Sequence, residues 1–127
     1  MKSTILLIDD DEYMRKYGVC LFDEKYYIVH TLKSGRKGLK YIVEHQLDVV
    51  IIDAHLEGLS GLETLLHIKR IKPELPVIVW SGDTDLELEK SAKERGAVAF
   101  FAKPVDKNRL QGLVATICEI LLIRKQK

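Results

Sequence analysis

The chain has 127 residues, with 20 Lys and Arg against 19 Asp and Glu, for a formal net charge of +1. That length suits one compact domain with a real core and is too short for two ordinary ones. The charge balance excludes a bulk attraction to nucleic acid or to a membrane surface, so a charge-driven partner must meet a local patch. The apolar stretches are strand-sized, far below the roughly 20 residues that span a bilayer. The start, Met1-Lys2-Ser3-Thr4, carries no signal-peptide pattern. A cytoplasmic single domain over residues 1–127 is expected, with 124–127 as a solvated tail or the start of a linker.

Short apolar runs, mostly β-branched, alternate with amphipathic segments of ten or more residues, the pattern of βα units in a parallel sheet. Five strands are predicted over about Thr4 to Ile8, Tyr27 to Thr31, Val49 to Asp53, Val77 to Trp80 and Ala99 to Ala102. Five helices are predicted over about Glu12 to Asp23, Gly35 to His45, Leu62 to Ile71, Asp85 to Arg95 and Lys107 to Ile123. Near-continuous apolarity in the first, third and fourth strands means burial on both faces, hence helices on both sides of the sheet. The fold class is therefore α/β, a doubly wound five-stranded parallel sheet flanked by five helices in three layers. Ser60 with Glu63, and Thr84 with Glu87, carry the capping-box pattern. Asp11 and Asp106 suit caps of the first and last helices, and Gly96 suits a left-handed helix stop. The fourth helix has a thin apolar stripe from Leu88 and Ala92, with Leu86 on the opposite side. In the last helix Leu122 and Ile123 fall outside the apolar arc of Leu110, Leu113, Val114, Ile117 and Leu121. Cys20 and Cys118 lack metal-ligand spacing and read as buried free thiols.

Polar residues end the apolar runs: Asp9 and Asp10 after the first strand, Asp53 after the third, Ser81 after the fourth, Lys103 and Pro104 after the fifth. In parallel strands these residues all emerge at one sheet edge, where open α/β sheets place their ligand crevice. Three carboxylates gathered there repel one another and raise pKa values unless a cation offsets them. A hard divalent cation and the Lys103 ammonium are the two candidates, and Mg2+, which uses few protein ligands beside a phosphate, matches the set. Asp53, alone at its strand end, is the natural carboxylate nucleophile for aspartyl-phosphate chemistry. Trp80 precedes Ser81 on a strand, so alternation aims it away from Ser81 and into the core. His30, His45, His55 and His67 lack metal-ligand spacing and read as structural or solvent-facing.

Ile8-Asp9-Asp10-Asp11 followed by Arg15, Asp53 with Gly58 and Gly61, Trp80-Ser81-Gly82 and Lys103-Pro104 together resemble the receiver domain of two-component response regulators over nearly the whole chain. The resemblance implies a flavodoxin-like sandwich with Asp53 as phospho-acceptor. It implies Mg2+ held by Asp10 and Asp53, by Asp9 largely through water, and by the backbone carbonyl of His55. Ser81 would be the switch hydroxyl, Lys103 the phosphate-pairing lysine with a cis peptide before Pro104, and Phe100 the switch aromatic. The implied partners are a sensor histidine kinase or phosphotransfer protein and a downstream protein meeting the fourth helix, fifth strand and fifth helix. A homodimer is compatible with this reading. No direct contact with nucleic acid and no catalysis beyond self-phosphorylation and autodephosphorylation are implied. Ending with its fifth helix, the chain reads as a stand-alone or excised receiver whose output passes through a partner or a further domain.

The sequence departs from the family pattern at His55-Leu56-Glu57-Gly58, where Met-Pro-Gly commonly follows the variable residue. His55 and Asp83 each lie two residues beyond a site residue, positions that in the family influence dephosphorylation. Phe100 lacks a hydroxyl, so any coupling to Ser81 must come from packing. Three rival readings remain. A non-phosphorylated scaffold is one. A metal-dependent phosphohydrolase would want a second acid where His55 stands. A flavin-binding module would want a Ser/Thr/Gly-rich phosphate loop where this chain has aspartates.

Overall fold

A computed structural model of the chain describes residues 1–83 and 85–126. Strands β1 (Ser3–Ile8), β2 (Tyr27–Leu32), β3 (Val49–Asp53), β4 (Val77–Ser81) and β5 (Ala99–Ala102) alternate with helices α1 (Glu12–Cys20), α2 (Gly35–Glu44), α3 (Gly61–Ile71), α4 (Leu86–Glu94) and α5 (Lys107–Lys125). The strands form one parallel sheet in the order β2-β1-β3-β4-β5. The order reverses between β1 and β3, so their carboxyl ends open a crevice.

Strand alternation divides the core. Ile5 and Leu7 of β1, Val49 and Ile51 of β3, and Ile78 and Trp80 of β4 pack against Met14 of α1 and Leu110, Val114 and Cys118 of α5. The intervening residues Leu6, Ile8, Val50, Ile52, Val77 and Val79 pack on the other face against Ile42, Leu65, Ile68 and Ala92 of α2, α3 and α4. Both clusters are apolar, and β3 and β4, buried along their whole length, carry no polar residue until their last position.

Caps fix the helix starts. Asp11 accepts from the Tyr13 N–H, Asp106 from Arg109, and Ser60 and Glu63 form the reciprocal box at α3. Ser60→Ala should cost about 1 kcal/mol, read as a shifted denaturant midpoint with an unchanged slope. Thr84, expected to box with Glu87, lies outside the described residues, and α4 is capped by Asp85, whose side chain accepts from the Glu87 N–H. Gly96 takes the left-handed φ of 106° expected of a helix stop.

Three expectations are corrected. Helix α1 ends at Cys20 rather than Asp23, because Asp23 instead turns the chain, accepting from Lys25, Tyr26 and Tyr27. Leu21 and Phe22 then take the buried places and leave Cys20 exposed, while Cys118 is buried as expected. Helix α5 runs through Arg124 and Lys125 instead of loosening into a tail there, and Lys125 Nζ lies 3.3 Å from Oδ1 of Asp48, the residue just before β3. Leu122 and Ile123 are exposed, as their place outside the apolar arc requires. Among the described residues, no helix is long and apolar enough to cross a membrane.

Candidate functional site

Parallel register brings the strand ends level. Ile8 pairs with Ile52, Asp53 with Trp80, and Trp80 with Phe101, so Asp9, Asp53 and Trp80 share one rung and Lys103 lies just beyond. Carboxylate oxygens of Asp9, Asp10 and Asp53 lie within 4.8 Å of one another. Lys103 Nζ is 3.0 Å from Asp9 Oδ2 and 3.4 Å from Asp53 Oδ2. The peptide bond from Lys103 to Pro104 is cis.

Asp9 is fully buried and well supplied with donors. The Asp11 N–H reaches its Oδ1 at 2.9 Å, and the Trp80 indole N–H reaches its Oδ2 at 2.9 Å beside the Lys103 ammonium. Arg15 Nη1 donates to the Asp9 carbonyl at 2.9 Å and fixes the loop between β1 and α1. Asp53 is 6% exposed and has one backbone donor, the His55 N–H at 3.1 Å. Burial pushes its carboxyl above the ordinary value; the His55 N–H and Lys103 pull it back, while the charge on Asp9 pushes it further up. Below the ordinary value of 3.8, Asp53 is protonated in the folded and unfolded chain alike. As pH rises through the raised folded value, stability is lost. In chelator at neutral pH, Asp53→Asn should therefore melt higher than wild type by roughly 2–5 °C. That gain should vanish in melts below the ordinary carboxylate value.

Asp10 is exposed, and its Oδ2 accepts from the Glu57 N–H at 3.3 Å. Together the three carboxylates offer hard oxygen donors with free lone pairs around a common point, a set that fits a hard divalent cation such as Mg2+. The loop after Asp53 is pinned without the family's Met-Pro-Gly: Leu56 is buried in the core, Glu57 reaches Asp10, and Gly58 takes a φ of 75° that favours glycine. His55 Nε2 lies 3.5 Å from Asp83 Oδ2, and both side chains are more than half exposed at the crevice mouth.

Ser81 is fully buried, and its hydroxyl oxygen accepts from the Asp83 N–H at 3.0 Å, while its own proton has no acceptor among the described residues. Phe100 sits half-buried on the opposite face of β5 from Phe101 and lines a groove with Glu89, Lys93, Val98 and Arg109. Trp80 packs in the core as expected, but its contact with Asp9 was missed. The available signal was strand parity, since residues 5, 7 and 9 share a face with residues 78 and 80.

The comparisons with known proteins agree with this geometry. The sequence pattern described as the response regulator receiver domain matches residues 5–115. The chain is 33% identical over 107 residues to the transcriptional regulatory protein GlrR of Escherichia coli (strain K12), covering 84% of this chain and 24% of that protein. It is 28% identical over 114 residues to sporulation initiation phosphotransferase F of Bacillus subtilis (strain 168), covering 90% of this chain and 92% of that one. The crystal structure of a response regulator receiver domain protein from Clostridium thermocellum superposes with a TM-score of 0.86 at 30% identity, covering 95% and 98% of the two chains. The chain spans about a quarter of the length of GlrR and of the nitrogen assimilation regulatory protein NtrX of Azorhizobium caulinodans. With the strand order and the acidic crevice at the switch point in keeping with it, the match over residues 5–115 places this chain in the response regulator receiver domain family of two-component signalling.

Proposed function

We propose that this domain accepts a phosphoryl group on Asp53 and signals through the surface that the phosphoryl group reshapes. The observation that carries the reading is the gathering of Asp9, Asp10 and Asp53 oxygens within 4.8 Å, with the Lys103 ammonium 3.4 Å from Asp53. The donor is a phosphohistidine on a sensor histidine kinase or a phosphotransfer protein. An Asp53 carboxylate oxygen attacks phosphorus, the bond from phosphorus to the imidazole nitrogen breaks, and the imidazole leaves with the electron pair. Mg2+, held by Asp9, Asp10, Asp53 and the backbone carbonyl of His55, would supply the charge neutralisation that lets an anionic carboxylate meet an anionic phosphoryl group.

The remaining steps belong to the chain. Lys103 turns from the carboxylates to a phosphoryl oxygen, and Ser81 donates its hydroxyl proton to another. Moving Ser81 drags the Asp83 N–H and the start of α4, a helix with only Ala92 buried and Leu86 79% exposed, so its resistance is small. Phe100 follows by packing, and the face made by α4, β5 and α5 changes for a downstream protein or a second copy. Incubation with Mg2+ and a small acyl phosphodonor, followed by intact mass measurement, should show the gain of one phosphoryl group, absent in Asp53→Asn. No gain in the wild type, at Mg2+ concentrations where calorimetry shows binding, would favour a scaffold that is never phosphorylated.

A further inference from the structure

The indole of Trp80 is engaged in more than core packing. It is fully buried among Leu7, Met14 and Leu110, and a Cβ at Gly18 of α1 would stand 3.4 Å from its Cη2. The ring is therefore held in place by core packing. From β4 it reaches Asp9 at the end of β1, donating its N–H to Oδ2 at 2.9 Å. The Lys103 ammonium stands 5.7 Å from the ring centroid, within cation–π range, and donates to the same Oδ2 at 3.0 Å.

A carboxylate oxygen has two lone pairs, and both on Oδ2 are taken. Oδ1 gives one to the Asp11 N–H and keeps one for the crevice. The two donors on Oδ2 differ in kind: Lys103 ends a flexible stem, whereas the indole N–H is held by the core. When the ammonium leaves for a phosphoryl oxygen, a fully buried carboxylate oxygen would lose its only donor if Trp80 were not there, which is a costly state.

We infer that Trp80 is a positioning residue of the phosphoryl site: its indole N–H retains Asp9, so that Lys103 can transfer from Asp9 to the phosphoryl group. The inference rests on the reading of Asp53 as acceptor. It separates two properties that a purely structural tryptophan would move together. Mg2+ binding to the unphosphorylated protein, with Lys103 still on Asp9, should hardly change when the N–H is removed. Phosphorylation, which needs Lys103 to depart, should slow.

The chain has a single tryptophan, so the N–H can be deleted in two ways. Trp80→Phe removes it with some loss of packing. Biosynthetic replacement of tryptophan by benzothienylalanine puts sulfur in place of the indole N–H at nearly constant shape, which keeps the test decisive if Trp80→Phe folds poorly. In the isosteric protein the phosphorylation rate with Mg2+ and a small acyl phosphodonor should fall about tenfold. Its Mg2+ dissociation constant by calorimetry should stay within about threefold of wild type. A rate within about twofold of wild type, or equal losses of rate and Mg2+ affinity, would overturn the inference. The single indole resonance adds an arm that needs no phosphorylation: its N–H should exchange slowly with solvent, with and without Mg2+. Rapid exchange would overturn the bond to Asp9 itself. Absence of phosphoryl gain in the wild type, with slow exchange intact, would instead place the failure in the reading of Asp53, and the positioning role would fall with it.

Discussion

Lys103→Ala should destabilise the domain by about 3 kcal/mol, because it strips the cation from a fully buried carboxylate. Partial compensation from the Trp80 and Asp11 donors places the loss at the low end of what a broken buried pair costs. In a domain of this size the melting temperature should drop by about 10 °C. Two further results follow from the same cause. Mg2+ should raise the melting temperature of Lys103→Ala more than that of wild type, since the variant has lost its own neutralising charge. The double variant Asp9→Asn with Lys103→Ala should recover at least about 1 kcal/mol, because removing both partners of a buried pair costs less than orphaning one. Equal stability of Lys103→Ala and wild type in chelator would contradict the geometry at the sheet edge.

Gly61→Ala should have a comparable effect from steric rather than electrostatic causes. The first residue of α3 packs directly on the end of β3, donating its N–H to the Ala54 carbonyl at 3.0 Å. A Cβ there would collide with the Asp53 carbonyl oxygen and stand 2.7 Å from the Ala54 Cα. These are backbone atoms, which cannot rotate away as a side chain tip would. The expected cost is about 3 kcal/mol, at the upper end for overpacking, measured by denaturant unfolding. Relief of the clash must shift either α3 or the Asp53 backbone, so Mg2+ affinity should fall as well. At Gly112, where nothing lies within 4 Å of such a Cβ, no collision of this kind arises.

Much of the fold could be read from the sequence because its dominant forces leave period-two and period-3.6 traces. All-apolar strands such as Val49 to Ile52 require cover on both faces, and the structure supplies it. The polar residues that end four of the five apolar runs located Asp9, Asp53, Ser81 and Lys103 at one edge, and the sheet register brings them level. Less visible were contacts made by long side chains across the register. The Arg15 guanidinium reaches back to the Asp9 carbonyl, a reach that periodicity does not encode. Trp80 was within grasp, because the alternation that turned it from Ser81 also turns it toward Asp9. Helix ends were read less well where a side chain competes for the backbone, as Asp23 does after α1, or where a distant charge holds the last turn, as Asp48 does for Lys125. The rival phosphohydrolase reading gains nothing from the geometry: His55 is exposed and turned toward Asp83, with no carboxylate in its place.

Locating the phosphoryl group decides whether Asp53 is the acceptor. An acyl phosphate is reduced by borohydride, which converts a phosphorylated aspartate to homoserine, and peptide mapping then names the residue. After treatment with Mg2+ and a small acyl phosphodonor, homoserine is predicted at position 53 and nowhere else. Homoserine at position 9 or 10, or a fully phosphorylated protein with an intact Asp53, would contradict the account.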